Sequence, residues 1–124
     1  MDINKFTQKS QEALAEAQSK AVSFGHTEVD GEHLLLALLD QPEGLVPRVL
    51  NKMDVALDSL RQAVEADLAR RPRVSGGGVE QGKIALTNRL AKLLVAAEQS
   101  AKRLKDEYVS VEHLLMVLAD EGSG

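Results

Sequence analysis

The stretch Glu32-His33-Leu34-Leu35-Leu36-Ala37-Leu38-Leu39 returns eighty residues later as Glu112-His113-Leu114-Leu115-Met116-Val117-Leu118-Ala119. Each is an apolar run with polar residues only at its head, the pattern of a helix buried almost all round. The match extends without a gap, so that residues 6–44 lie over residues 86–124. Of the 39 aligned positions 12 are identical: Thr7, Leu14, Ala17, Ala21, Val29, Glu32, His33, Leu34, Leu35, Leu38, Asp40 and Gly44 with their counterparts 80 residues on. A shared Glu-His-Leu-Leu tetrad in register marks a duplication rather than two leucine-rich helices aligned by chance.

Before each buried helix the period changes to that of an amphipathic one. Leu86, Leu90, Leu93, Leu94, Ala97, Ala101 and Leu104 follow one another mostly at steps of three and four, which places them on one helical face. Phe6, Ala13, Leu14, Ala17, Ala21 and Phe24 fill the same template in the first copy. Thr7 and Thr87 are natural N-caps for these helices, and Asp30 and Ser110 for the two that follow. Gly25 suits a left-handed C-terminal cap. The first copy continues into a short third helix around Val46, Val49, Leu50 and Met53, with Pro47 in its first turn. A fourth carries Leu57, Leu60, Val64 and Leu68; it is expected to start near Asp54 and stop before Pro72, with Arg70 and Arg71 at its negative end. Residues 73–84, with Gly76-Gly77-Gly78, read as a flexible linker. The chain therefore divides into a first repeat of about four helices (1–72), the linker (73–84), and a second repeat holding only its first two helices (85–124). The missing counterparts of the third and fourth helices imply a fragment of a longer chain.

Composition agrees and excludes. The 124 residues include 19 Leu, 15 Ala and 12 Val but only 2 Ile, 1 Tyr, 2 Phe and no Trp, a helix-forming composition. No Cys is present, which removes disulfide frameworks, thiolate–zinc sites and Cys catalysis. A formal charge of −4 argues against a general nucleic-acid binder. Runs such as Leu34–Leu39 are far short of the roughly 20 apolar residues a membrane span needs, and the first residues carry no secretory signal pattern.

Catalytic constellations are not found. His33 and His113 hold equal positions beside Glu32 and Glu112; side chains adjacent along a helix diverge, so the pairs read as partners for free N–H groups of the first turn. His26 is matched by Asp106 and supplies no third metal ligand. Gly76-Gly77-Gly78 lacks the strand and the Lys-Ser/Thr of a phosphate loop. Lys102, Arg103 and Lys105 read as a solvated helix face. No metal or cofactor is expected. Binding remains, at the seam between the copies. There Leu90 and Leu93 replace Ser10 and Ala13, either as packing between the copies or as an apolar strip for extended chains. Tyr108 and Val111 belong near the same rim. Glu28, Glu32, Asp106 and Glu112 would ring it with charge suited to Lys- or Arg-bearing segments.

Phe6-Thr7, Gly25-His26, Glu32 to Leu38 and Glu43-Gly44, with Leu86-Thr87 and Asp106-Glu107-Tyr108-Val109-Ser110-Val111-Glu112-His113-Leu114-Leu115, resemble the Clp repeat domain, the N-terminal module of the ClpA, ClpB and ClpC unfoldases. Asp67 to Val74 and the glycines after them are most similar to the ClpB branch. The threonine that ClpC-type domains carry before Glu-His is Gly31 and Val111 in this chain, which weakens any reading as a phosphoarginine binder. The resemblance implies an all-α fold of two pseudo-twofold-related four-helix units. It implies a non-catalytic module that captures unfolded or aggregated polypeptide for an ATP-driven disaggregase, or, as the alternative, docks adaptors for a ClpC/ClpA-type protease partner. It also implies ATP and Mg in AAA+ modules outside this chain, a hexameric parent, the DnaK chaperone system as partner, and a cytoplasmic location. Neither nucleic acid nor membrane is implied. By the resemblance Thr7, Asp106 and Glu112 engage the client; Leu90, Leu93, Tyr108 and Val111 join them from the reading of the residues.

Overall fold

A computed structural model describes residues 3–41, 44–72 and 85–120. After a 3-10 turn at Ile3–Lys5 come α1 (Gln8–Ser23), β1 (Glu28–Val29), α2 (Gly31–Asp40), α3 (Leu45–Lys52), α4 (Leu57–Arg70), β2 (Ala85–Leu86), α5 (Asn88–Arg103) and α6 (Val111–Asp120). The fold is all-α apart from two short strands. Among the described residues the first copy contributes α1–α4 and the second α5–α6. The Gly-rich linker and the last four residues lie outside the described residues.

The first helix of each copy begins as its sequence directs. The Thr7 and Thr87 hydroxyls accept the Ser10 and Leu90 amides at 3.2 and 3.0 Å, relieving one free donor of each first turn. Both first helices also end alike. Gly25 and Lys105 take positive φ (77° and 60°), and the amides of the residues after them, His26 and Asp106, both bond back to Ala21 and Ala101 at 2.9 Å, a Schellman closure in duplicate. Asp54, expected near the start of α4, instead closes α3 at φ 61°; its amide bonds Asn51, and α4 starts after Ala56.

The two copies interlock by their backbones, a feature the helical reading did not foresee. Val29 pairs with Leu86 in a parallel ladder, and Phe6 forms a parallel bridge with Val109. These are the same pairing applied twice, because Val109 corresponds to Val29 and Phe6 to Leu86. The Thr87 amide donates to the Val29 carbonyl at 3.0 Å and the Thr7 amide to the Val109 carbonyl at 2.9 Å. Each copy thus lends the entrance of its first helix to the other.

One core fills the space between. Ala13, Ala17 and Ala21 on α1 are wholly buried, and their small size lets α2 approach closely. Leu34 and Leu38 of α2, Leu90 and Leu94 of α5 and Leu114 of α6 complete it, each worth about 2 kcal/mol of apolar transfer. A second cluster forms where α4 lays Val64 and Leu68 over Leu36, with Phe24 at its edge.

Gly25→Ala puts a Cβ into the left-handed cap and is expected to cost about 1 kcal/mol, whereas Lys105→Gly removes the same strain and gains about 0.5 kcal/mol, offset by extra unfolded-chain freedom. Urea unfolding of the two variants checks both signs.

Candidate functional site

The start of α2 shows what the duplicated helix entrance can bind. The Asp30 amide donates to His33 Nδ1 at 2.8 Å, so His33 closes a capping box. The Asp30 carboxylate accepts the Gly31 amide (2.8 Å) and the Thr87 hydroxyl (2.9 Å) on Oδ1. Its Oδ2 faces Arg71 at 2.9 Å and Arg89 at 3.4 Å. Glu32 takes the same two guanidiniums, each at 2.9 Å, and Asp67 holds Arg71 from behind. Burial pushes the Asp30 carboxyl up, but the Gly31 amide, Arg71 and Thr87 outweigh it and hold its pKa below the ordinary value. Desolvation likewise opposes the Arg71 charge, and Asp30, Asp67 and Glu32 together raise its pKa. Arg71, expected only to settle the end of α4, therefore ties α4 to the seam. Glu32 is paired by this network, and it borders a separate apolar groove of about 550 Å³ with Leu35, Leu50, Leu60 and Leu118 rather than the vicinity of Asp106.

A similar polar knot ties α1, α2 and α4, where Asp40 accepts from both Lys20 and Arg61. Burial works against its charge, and the two cations still lower its pKa.

The second copy keeps the cap, and among the described residues its surroundings differ. The Ser110 amide donates to His113 Nδ1 at 2.8 Å, as in the first copy. Among the described residues no basic side chain pairs with Glu112. Leu36 is 2 % exposed beneath α4, while its counterpart Met116 is 45 % exposed. Phe24 is partly covered, while its counterpart Leu104 is 56 % exposed. With Tyr108, 53 % exposed, these side chains line a cleft of about 360 Å³ whose polar wall is Asp106, Glu107 and Glu112. Met116 also borders a larger groove of about 580 Å³ between α5 and α6, shared with Leu93, Ala96 and Val117.

The expected site residues divide accordingly. Asp106, Tyr108 and Glu112 share the smaller cleft. Leu93 reaches the larger groove but is itself buried, Val111 is buried, and Leu90 has no exposed surface at all. For Leu90 and Leu93 the packing alternative is the one observed and no strip of the two lies open, while Val111, expected near the rim, is buried. Thr7 is half-buried, and its hydroxyl donates to Ser10 Oγ at 3.0 Å, which in turn donates to the Val109 carbonyl at 3.0 Å. Sequence reasoning missed Leu104 and Met116. The signal was available: they stand opposite Phe24 and Leu36 in the 80-residue register. Among the described residues no group of three or more His, Asp or Glu side chains is placed to hold a metal, and no helix is long and apolar enough to cross a membrane.

The family model of the Clp repeat (R) N-terminal domain matches residues 5–124. The chain is 54 % identical over 121 residues to the chaperone protein ClpB of Nitratidesulfovibrio vulgaris and 47 % identical over 121 residues to that of Bacillus cereus, covering 98 % of this chain and 14 % of the relative in each case. Among solved structures it superimposes with a TM-score of 0.78 on a ClpV N-domain in complex with a VipB peptide, at 27 % identity, covering 93 % of this chain and 68 % of that one.

The buried His33 ring carries a testable consequence. Desolvation, reinforced by His26 alongside, lowers its pKa from 6.5 to about 4. Unfolded chains take up a proton that the folded chain refuses, so stability falls as pH drops from 6.5 toward about 4, by about 3 kcal/mol in all. Asp30 and Asp40, with lowered values, add their loss only below 3.8. Denaturant unfolding at about pH 7 and about pH 4.5 is expected to show the difference, and His33→Gln to flatten it.

Proposed function

This chain belongs to the Clp repeat (R) N-terminal domain family, and we propose that it is the client-recruiting N-terminal module of a ClpB-type, ATP-driven disaggregase. The reading rests on the rim of the cleft at the second copy's end of the seam, where Tyr108 stands exposed beside Asp106, Glu107 and Glu112. Apolar surface rimmed by acid suits unfolded or aggregated polypeptide, which presents aromatic and aliphatic side chains interspersed with Lys and Arg. Met116 joins this cleft to the α5–α6 groove, and a thioether adapts to many client side chains. Leu93 lines the α5–α6 groove, and Thr7 bonds through Ser10 to the Val109 carbonyl beside Tyr108.

Two observations support the reading. Relatives at 54 % and 47 % identity are named ClpB chaperones, which favours disaggregation over adaptor docking for a ClpC/ClpA-type protease partner. A ClpV N-domain of the same fold is solved with a VipB peptide, so this architecture has held a peptide. The chain spans 14 % of the curated relatives it matches. The remainder of the function belongs to this proposal: AAA+ modules that use ATP and Mg, a hexameric parent, cooperation with the DnaK system, and a cytoplasmic setting. The domain itself holds the client and performs no chemistry.

Fluorescence anisotropy with a labelled, unstructured peptide carrying Lys and aromatic residues tests the site. Met116→Asp is expected to weaken binding about tenfold and Tyr108→Ala or Glu112→Gln about threefold, the usual scale for contact residues. Leu90→Ala is expected to lower stability and leave the affinity of the folded fraction unchanged. Native affinity in all three surface variants places the client elsewhere.

A further inference from the structure

We infer that His113 is a positioning residue for client capture, fixing the Asp106 carboxylate at the rim of the cleft; this rests on the reading that Asp106 faces the client. Asp106 follows Lys105 in the loop that leaves α5. A carboxylate on an exposed loop ordinarily samples several rotamers, and ordering it costs entropy that a client would have to supply. Here the cost is met in the free protein. The Asp106 amide donates to the Ala101 carbonyl at 2.9 Å, and His113 Nε2 donates to Asp106 Oδ2 at 2.9 Å.

The tautomer follows from the neighbours. The Ser110 amide donates into His113 Nδ1 at 2.8 Å, so that nitrogen is the acceptor and Nε2 carries the hydrogen. Ser110 Oγ lies 3.1 Å from the same Nδ1. The ring is 4 % exposed and has no room to turn. The bond occupies Oδ2; among the described residues no protein donor takes Oδ1. Asp106 thus keeps one oxygen for a cationic client group beside Tyr108 and Glu112.

The first copy supplies the internal comparison. His33 uses Nδ1 in the same way, accepting from the Asp30 amide. Its Nε2, however, pairs at 2.8 Å with Nδ1 of His26, a buried ring at the position equivalent to Asp106. Capping explains Nδ1 in both copies. It does not explain why the second histidine directs its remaining hydrogen at a half-exposed carboxylate that lines the cleft.

The test uses the same labelled peptide and His113→Gln. A glutamine at this position keeps the capping box, since its carbonyl accepts the Ser110 amide, and loses the bond to Asp106. Affinity of the folded fraction is expected to fall about fivefold as the freed carboxylate regains its rotamers, and unfolding to move to lower denaturant because the bond to Asp106 is lost from the free protein. Asp106→Ala is expected to fall at least as far, and the double variant no further, since both act through one carboxylate. His33→Gln is expected to bind as the native chain does. Asp106→Glu keeps the charge on an exposed loop, moves it away from His113, and is expected to lose about threefold. Native affinity in His113→Gln beside an impaired Asp106→Ala, additive losses in the double variant, or native affinity in Asp106→Glu overturns the positioning role. Native affinity in Asp106→Ala overturns the client-site reading instead.

Discussion

Reciprocal backbone pairing at the seam governs this molecule. Val29 reaches Leu86 and Phe6 reaches Val109, so the entrance of each first helix is built on the other copy. Backbone donors buried at a junction need partners, and this exchange provides them twice over with one geometry. It fixes the approximate twofold relation, places Thr7 and Thr87 where they cap, and aligns the helices whose leucines share one core. The helical bundle is organised by four strand residues and one bridge.

Symmetry at the seam makes the differences around it informative. In the first copy α4 covers Leu36, while Arg71 and Arg89 neutralise Asp30 and Glu32. In the second, Met116 and Leu104 are exposed and Glu112 lies in a cleft. The first copy shows the same apolar and acidic positions packed against α4 and paired with arginines.

Much of this was legible in the sequence because helices obey local rules. The 80-residue register, the apolar periods and the caps at Thr7, Thr87, Gly25 and Asp30 are set by neighbours within one turn, and the structure reproduces them. What was not legible depends on distant partners. Nothing near Val29 announces a strand pairing with Leu86, and nothing near Arg71 announces Asp30. Leu90 and Leu93 were ambiguous because an apolar face has the same period whether it meets protein or solvent; only the placement of the seam settles that both are buried. His26 looked unmatched because the comparison was of residue type. In space Asp106 does the same work as an acceptor for the same histidine nitrogen, so the duplication preserved a role while exchanging imidazole for carboxylate.

The exchange of entrances also sets the order in which the chain consolidates. Phe6, 2 % exposed in the finished fold, is covered only when Val109 arrives, and Val29 waits for Leu86. Closing such separated contacts is slow compared with helix formation. As the polypeptide leaves the ribosome, α1 to α4 emerge with their seam bare, and cooperative locking is deferred until nearly all of both halves are out. A domain whose relatives are named chaperones therefore passes through its own interval of exposed hydrophobic surface during birth.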